Sequence, residues 1–274
     1  MTSIAIMNAK GGVGKSTLTM AIAECLSVLH GKRILLIDAD GQMSLSLMVA
    51  SVKDIMEFGS RKHTLGGWLT GLLPGNATLP WQSLVYGPVS DVDEARHIYL
   101  LAGDMDLTLI ERELVAAKAL AALRAGVRDF LAEATHYVDY VLIDCAPGLS
   151  IVTEVFLREA QWHLVPVKPD VLAVSGMKYL NRFKSRDPTL GFAKHLGVAI
   201  NMMQRNNDSD SVIHDLLMGD PDLACFSAAV PHIGHLQKAA LFLRDKRSIQ
   251  NKYPGEAGMA IKAMVQEIVR RTAP

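Results

Sequence analysis

The chain has 274 residues, half of them apolar, with 28 Lys+Arg set against 28 Asp+Glu for a formal net charge of zero. That length allows one large α/β domain or two small ones with a substantial core, and the balanced charge gives no global field for a polyanion, so any such contact has to come from a local patch. The three cysteines, Cys25, Cys145 and Cys225, form no CxxC pair, which excludes a disulfide framework or thiolate metal site and leaves each as a small buried residue in a reducing compartment.

Ser3 to Met7 reads as a buried strand, and it begins too early to leave room for a signal peptide. Lys10-Gly11-Gly12-Val13-Gly14-Lys15-Ser16-Thr17 follows, then a helix from about Ser16 to Leu29 with Ala21, Cys25, Val28 and Leu29 on one face and Gly31 just past its end. Strand, glycine loop and helix together are the setting of a phosphate-binding loop. The glycines let several N–H groups turn inward on one anion, and the helix adds its positive end. Lys15 is placed for the β- and γ-phosphates and the Ser16 hydroxyl for Mg²⁺. The usual pattern has glycine where this chain has Ala9, and here a second lysine, Lys10, opens the loop.

In that departure the loop resembles the deviant Walker A motif, KGGxGK[ST], of the ParA/MinD family of P-loop ATPases. The resemblance implies ATP and Mg²⁺ as cofactors, and a dimer in which Lys10 reaches the partner's ATP. Arg33 to Ile37 reads as a second buried strand, continuously apolar from Ile34 as parallel strands tend to be. It ends in Asp38-Ala39-Asp40-Gly41-Gln42, at the strand end where ligand chemistry collects in open α/β sheets. This segment resembles the family's DxDxQ element, which implies that Asp38 holds a Mg²⁺-bound water and that Asp40 orients or deprotonates the attacking water.

From Ser44 to His97 the pattern is weakest: Gly66-Gly67, Pro74-Gly75, Pro80 and Gly87-Pro88 break any long element. Leu65, Trp68, Leu69, Leu72 and Leu73 predict one short amphipathic helix, with Trp68 and Trp81 in packing roles. His97 to Leu101 reads as a strand, followed by Gly103-Asp104-Met105-Asp106, which resembles the family's turn with aspartates in place of asparagine. A helix is predicted from Leu107 to Ala122, continuing helical over Arg124 to Ala134. Val138 to Ile143 is the next strand. It runs into Asp144-Cys145-Ala146-Pro147-Gly148, the position of a Walker B aspartate, with Asp144 and Pro147 matching the family form; Pro147 also stops the strand.

Thr153 to Ala160 reads as a helix and Trp162 to Val167 as a strand, where Pro166 predicts an edge or a strand end. Ser175 and Gly176 match a family segment, and Lys178, Arg182, Lys184 and Arg186 after it are either a solvated face or part of a DNA-binding strip. Gly197 to Met202 reads as a strand bearing Asn201, whose family counterpart hydrogen-bonds adenine; Pro231 resembles the loop that covers the base. Lys238, Arg244, Lys246, Arg247 and Lys252 then form a basic stretch. ParA-type proteins bind DNA through such residues without base readout, which needs only positive charge; a solvated basic helix remains the other reading. The final helix, Glu256 to Arg270, carries Ile261, Met264, Val265, Ile268 and Val269 as an apolar stripe expected to dock on the sheet.

The expectation is therefore one P-loop domain over residues 1–274, with a variable insertion at about 44–97, built on a mostly parallel twisted sheet with helices on both faces. The resemblance implies a slow ATPase. It would form an ATP-sandwich homodimer, bind DNA non-specifically, answer to an activating partner protein and position a cargo, in the cytoplasm and on the nucleoid when ATP is bound. No apolar run is long enough to span a bilayer, so no membrane partner is expected. A MinD-like membrane-associated ATPase, an iron–sulfur ATPase and a metabolic P-loop enzyme are the alternatives. The first would carry a further amphipathic helix, the second a cysteine pair, and the third would not need Lys10.

Overall fold

The computed structural model describes residues 2–170, 180, 182–186, 191–204 and 206–273. Among them, β1 (Thr2–Ile6), β2 (Ile34–Ala39), β3 (Ile98–Leu101), β4 (Tyr140–Cys145), β5 (Trp162–Val167) and β6 (Lys194–Ile200) form one sheet in the order β3-β2-β4-β1-β5-β6. Every pairing is parallel. The helices are α1 (Lys15–His30), α2 (Ser44–Val49), α3 (Val52–Ser60), α4 (Leu65–Gly71), α5 (Leu107–Ala116), α6 (Leu120–Ala134), α7 (Ile151–Glu159), α8 (Asp208–Met218), α9 (Gly234–Ala239), α10 (Ile249–Lys252) and α11 (Gly255–Arg271).

A parallel sheet needs helical crossovers, and the helices cover both faces, which is why the strands are apolar on consecutive residues rather than alternating. On one face Ala5, Leu35, Ile37, Val141 and Ile143 pack with α4, α5, α6 and α7. On the other, Ile4, Ile6, Leu36 and Leu142 pack with α1, α2, α3 and α11. The stripe on α11 docks here, with Ile261, Met264, Val265 and Ile268 buried. No helix among the described residues is long and apolar enough to cross a membrane.

Three local expectations are corrected. The helix predicted from Leu107 to Ala122 is two, because Lys118 turns to a left-handed φ of 51° between α5 and α6. The turn lets Leu107, Ile110 and Leu114 of α5 and Leu123, Val127 and Phe130 of α6 enter one core. Pro166 does not mark an edge, since β5 lies between β1 and β6, but it does mark the strand's end, as the last residue but one of β5. It sits beyond the last β1 pairing, at Leu164, so its missing N–H forfeits no ladder bond there, and its carbonyl accepts the Asn8 side-chain amide at 2.6 Å. The stretch from 44 to 97 is more regular than its glycines and prolines indicate. Ser51 and Thr64 cap α3 and α4 by accepting from the N–H groups of Asp54 and Gly67. Trp68 and Trp81 do pack, each against Phe130, at 5.2 and 5.0 Å between ring centroids.

A buried ionic cluster ties distant parts of the chain together. Lys252, fully enclosed at the end of α10, bonds Glu24 of α1 at 2.7 Å and Asp91 at 2.6 Å. The Tyr253 and Ser90 hydroxyls donate to Glu24, and Arg247 reaches Asp91 at 2.8 Å. The two carboxylates thus meet two cations and have their remaining acceptor sites filled, the condition under which buried charges are tolerated.

Candidate active site

The glycine loop joins β1 to α1 at the centre of the sheet. Gly12 and Gly14 take left-handed φ values of 74° and 83°, conformations that favour glycine. A Cβ on Gly14 would lie 2.3 Å from the Asn201 side-chain nitrogen, so no larger residue fits there without displacing Asn201. Two asparagines pin the loop. Asn8 accepts from the Lys10 N–H at 2.9 Å, and Asn201 donates to the Val13 carbonyl at 2.9 Å.

Helix α1 begins at Lys15 with no capping side chain and no acidic residue in its first turn. Its first N–H groups are therefore left to an anion, with the positive end of the helix dipole behind them. The Lys15 side chain is buried at this start, and Ser16 and Thr17 are half-buried beside it.

Strand register brings the acids to the same place. Ile6 of β1 stands opposite Asp144 of β4, and Asp144 opposite Asp38 of β2, so both aspartates lie level with the point where β1 enters the loop. Both are fully buried. Asp144 lies inside its strand, one residue before the end, rather than after it. Neither of its oxygens has a partner at hydrogen-bonding geometry, and the Ser16 hydroxyl and Lys15 ammonium nearby only partly offset its burial. Burial first, and then the charge of Asp38, pushes the Asp144 carboxyl well above the usual carboxylate range. Burial likewise raises Asp38 to about 6, against the opposing pull of its bonds from Ser46. Asp40, half-buried on the next turn, donates its N–H to Asp38 at 3.3 Å and accepts from the Gln42 N–H at 2.9 Å.

A buried carboxylate without a well-formed hydrogen bond, next to a second one, is a poor arrangement for a protein alone and a good one for a hard cation. The donor set is oxygen only, as Mg²⁺ prefers, with the Ser16 hydroxyl close by. No group of three or more His, Cys, Asp or Glu residues among those described is placed to hold a metal by itself. A Mg²⁺ ion here would thus arrive with phosphate oxygens, its usual mode.

The remaining candidates divide. Asn201 and Pro231 do come together, with Thr17, His232 and Ile233, around a cavity of about 50 Å³, and Pro231 and His232 also line an adjoining cleft of about 400 Å³. Lys10 is engaged within its own chain, in an ion pair with Asp170. Of the basic residues, Lys238, Arg244 and Lys246 are exposed, as are Arg182, Lys184 and Arg186. Arg247 is not available in the same way: it bonds Asp91 and the carbonyls of Ala239 and Leu241 and so ties these segments together. Lys252 has no exposed surface and belongs to the buried cluster. Ser175, Gly176 and Lys178 lie outside the described residues. Asn8, Ser46 and Asp170 escaped the sequence reading, although Asn8 stands two residues before Lys10 and Asp170 lies within the segment from Pro169 that carries a family match.

An uncapped helix start under a glycine loop, set in a parallel sheet, is the frame of a P-loop phosphate-binding protein. Comparison with known proteins narrows this. A family model described as AAA domain matches residues 1–187. An uncharacterized protein of Pseudomonas putida is 32% identical over 176 residues, 64% of this chain and 59% of its own length, so the match spans less than two thirds of that relative. The chromosome partitioning protein ParA of Caulobacter vibrioides is 29% identical over 248 residues, 87% of this chain and 84% of its own.

Among solved structures, a plasmid partition protein of Borrelia burgdorferi B31 bound to AMPPNP superposes with a TM-score of 0.76 at 18% identity, covering 98% of each chain. Cobyrinic acid a,c-diamide synthase from Mycobacterium smegmatis with an ATP analogue and magnesium gives 0.72 at 20%, over 98% of this chain and 95% of its own. The ParA protein of pNOB8 bound to nonspecific DNA gives 0.66 at 22%, over 98% of each. The chain belongs to the AAA domain family, and a ParA-type chromosome partitioning protein is among its relatives over most of its length.

Proposed function

We propose that this protein is a slow ATPase that closes as a homodimer on two ATP molecules, binds DNA without sequence preference in that state, and releases it on hydrolysis to position a cargo. The observation that carries the reading is the buried Asp144 carboxylate, level with Asp38, facing Ser16 and Lys15 at an open helix start and without a well-formed hydrogen bond of its own. In this reading the N–H groups of Gly11 to Thr17 and the Lys15 ammonium bind the phosphates. Ser16, Asp38 and Asp144 would hold Mg²⁺, which supplies positive charge against the phosphate oxygens when bound. Asp40 orients the attacking water or takes its proton. Asn201 reads the base edge while its amide holds Val13, and Pro231 covers the base.

Lys10 would exchange Asp170 for the nucleotide of a second copy, so a single subunit is incomplete. Catalysis that waits on positioning by two subunits is slow by construction and open to stimulation by a cargo-bound partner protein. The exposed Lys238, Arg244 and Lys246 supply the contact with DNA phosphates. The likeness to a ParA protein bound to nonspecific DNA supports this half of the reading.

The test is binding of random-sequence duplex DNA with ATP, with ADP and without nucleotide, for wild type and Asp40→Ala. Binding is expected only with ATP, persisting in Asp40→Ala and weakening with salt. ATP binding without DNA binding in any state would refute the DNA role. Failure to bind ATP at all would refute the whole reading.

A further inference from the structure

Asp38 does not hold its orientation alone. Its Oδ2 accepts the Ser46 backbone N–H at 2.8 Å and the Ser46 hydroxyl at 2.7 Å. The Ser46 Oγ in turn accepts the Gly103 N–H at 2.9 Å. An amide N–H only donates, so the hydroxyl's own proton is committed to Asp38. Ser46 and Asp38 are both fully enclosed, so these bonds lie out of contact with bulk solvent. The fit behind them is tight as well: a Cβ on Gly103 would stand 3.1 Å from Asp38 Cγ. The other carboxylate oxygen, Oδ1, takes only the Asp40 N–H at 3.3 Å.

From this we infer that Ser46 is a positioning residue for the metal side of the nucleotide site: its two donors fasten Oδ2 of Asp38 and keep Oδ1 as the oxygen offered to the site. The inference rests on the reading of Asp38 and Asp144 as Mg²⁺-holding groups. It adds a residue outside every motif of the chain, in the first turn of α2, and it makes three segments responsible for one carboxylate: the end of β2, α2 and the turn after β3. Removing the hydroxyl leaves Oδ2 with one donor and the buried Gly103 N–H with none. Asp38 then loses its fixed aim, while the phosphate-binding N–H groups of the loop are untouched.

The experiment measures the affinity of fluorescently labelled ADP in Mg²⁺ and in EDTA for wild type, Ser46→Ala and Ser46→Cys. The quantity read is the ratio of the two affinities, with thermal unfolding recorded alongside. Ser46→Ala should keep its affinity in EDTA and lose about tenfold or more of the Mg²⁺-dependent gain, the usual scale for a group that orients a metal ligand. Ser46→Cys keeps a side chain at the site with a weak donor and should fall between. An unchanged ratio in Ser46→Ala overturns the inference, and so does an equal loss in Mg²⁺ and EDTA, which is what a merely structural serine gives. Should Ser46→Ala not fold, the Ser46→Cys ratio decides by the same criterion. If wild type itself gains nothing from Mg²⁺, it is the reading of the site that fails. If wild type gains and the variants gain equally, only the role of Ser46 fails.

Discussion

Asp38→Asn should make the ligand-free protein more stable. Asp38 is fully buried and its pKa stands at about 6 in the folded chain, against 3.8 for an ordinary aspartate, chiefly because burial disfavours its charge. The folded protein therefore binds more protons than the unfolded chain between about pH 4 and 6, and stability falls as pH rises through that window. At neutral pH the ionised, buried Asp38 costs about 3 kcal/mol. Near pH 4.5 the same linkage leaves a cost of only about 1 kcal/mol. An asparagine oxygen can accept both Ser46 donors, but its amide faces the Asp40 N–H, so the net gain at neutral pH should be about 1–3 kcal/mol. Urea unfolding in EDTA, at pH 7.5 and again at pH 4.5, measures it. A variant no more stable than wild type at pH 7.5 refutes the argument. So does a gain of the same size at both pH values, which would mean that shape and not charge is responsible.

Lys15→Ala should abolish nucleotide binding by removing the phosphate charge while leaving the melting curve close to wild type; retained affinity would sink the loop assignment. Asp40→Ala should bind ATP and dimerise in sizing experiments yet fail to turn over, and normal turnover would move the catalytic role elsewhere. Lys252→Met should cost about 3–5 kcal/mol in urea unfolding, because Glu24 loses its ionic partner and Asp91 one of two; the double variant with Glu24→Leu should cost less than the single one. Arg244→Ala and Lys246→Ala should each lower the slope of DNA affinity against salt by about one. Arg247→Ala should instead lower stability, and a DNA slope that changes for Arg247 alone would reverse that assignment.

The parallel sheet and the loop were legible in the sequence because both follow from local rules. Ile34 to Ile37 and Val141 to Ile143 are continuous apolar runs, and the loop glycines and lysines are contiguous. Asp38 and Asp144 were legible as strand-end acids, but not as neighbours. Their juxtaposition depends on β4 inserting between β1 and β2, an order that no residue announces. Arg247 and Lys252 looked like members of a basic surface because spacing does not report burial; their carboxylates, Glu24 and Asp91, are far away in sequence. Ser46 fell in the stretch with the weakest pattern, where a serine near a helix start carries no signal of what its hydroxyl touches. The helix break at Lys118 went unseen for a similar reason, since nothing in Ala-Lys-Ala favours a left-handed residue.

The Glu24–Lys252 pair spans 228 residues. Chains emerge from the ribosome amino end first, and domains tend to fold in that order. Helix α1, the phosphate loop and the strands all leave the ribosome before the lysine that neutralises Glu24. Until Lys252 arrives, packing α1 in its final place would bury the Glu24 carboxyl without its cation, so the last strength of that packing comes only with the end of the chain. A chain that stops short of Lys252 lacks the ion that seats its first helix.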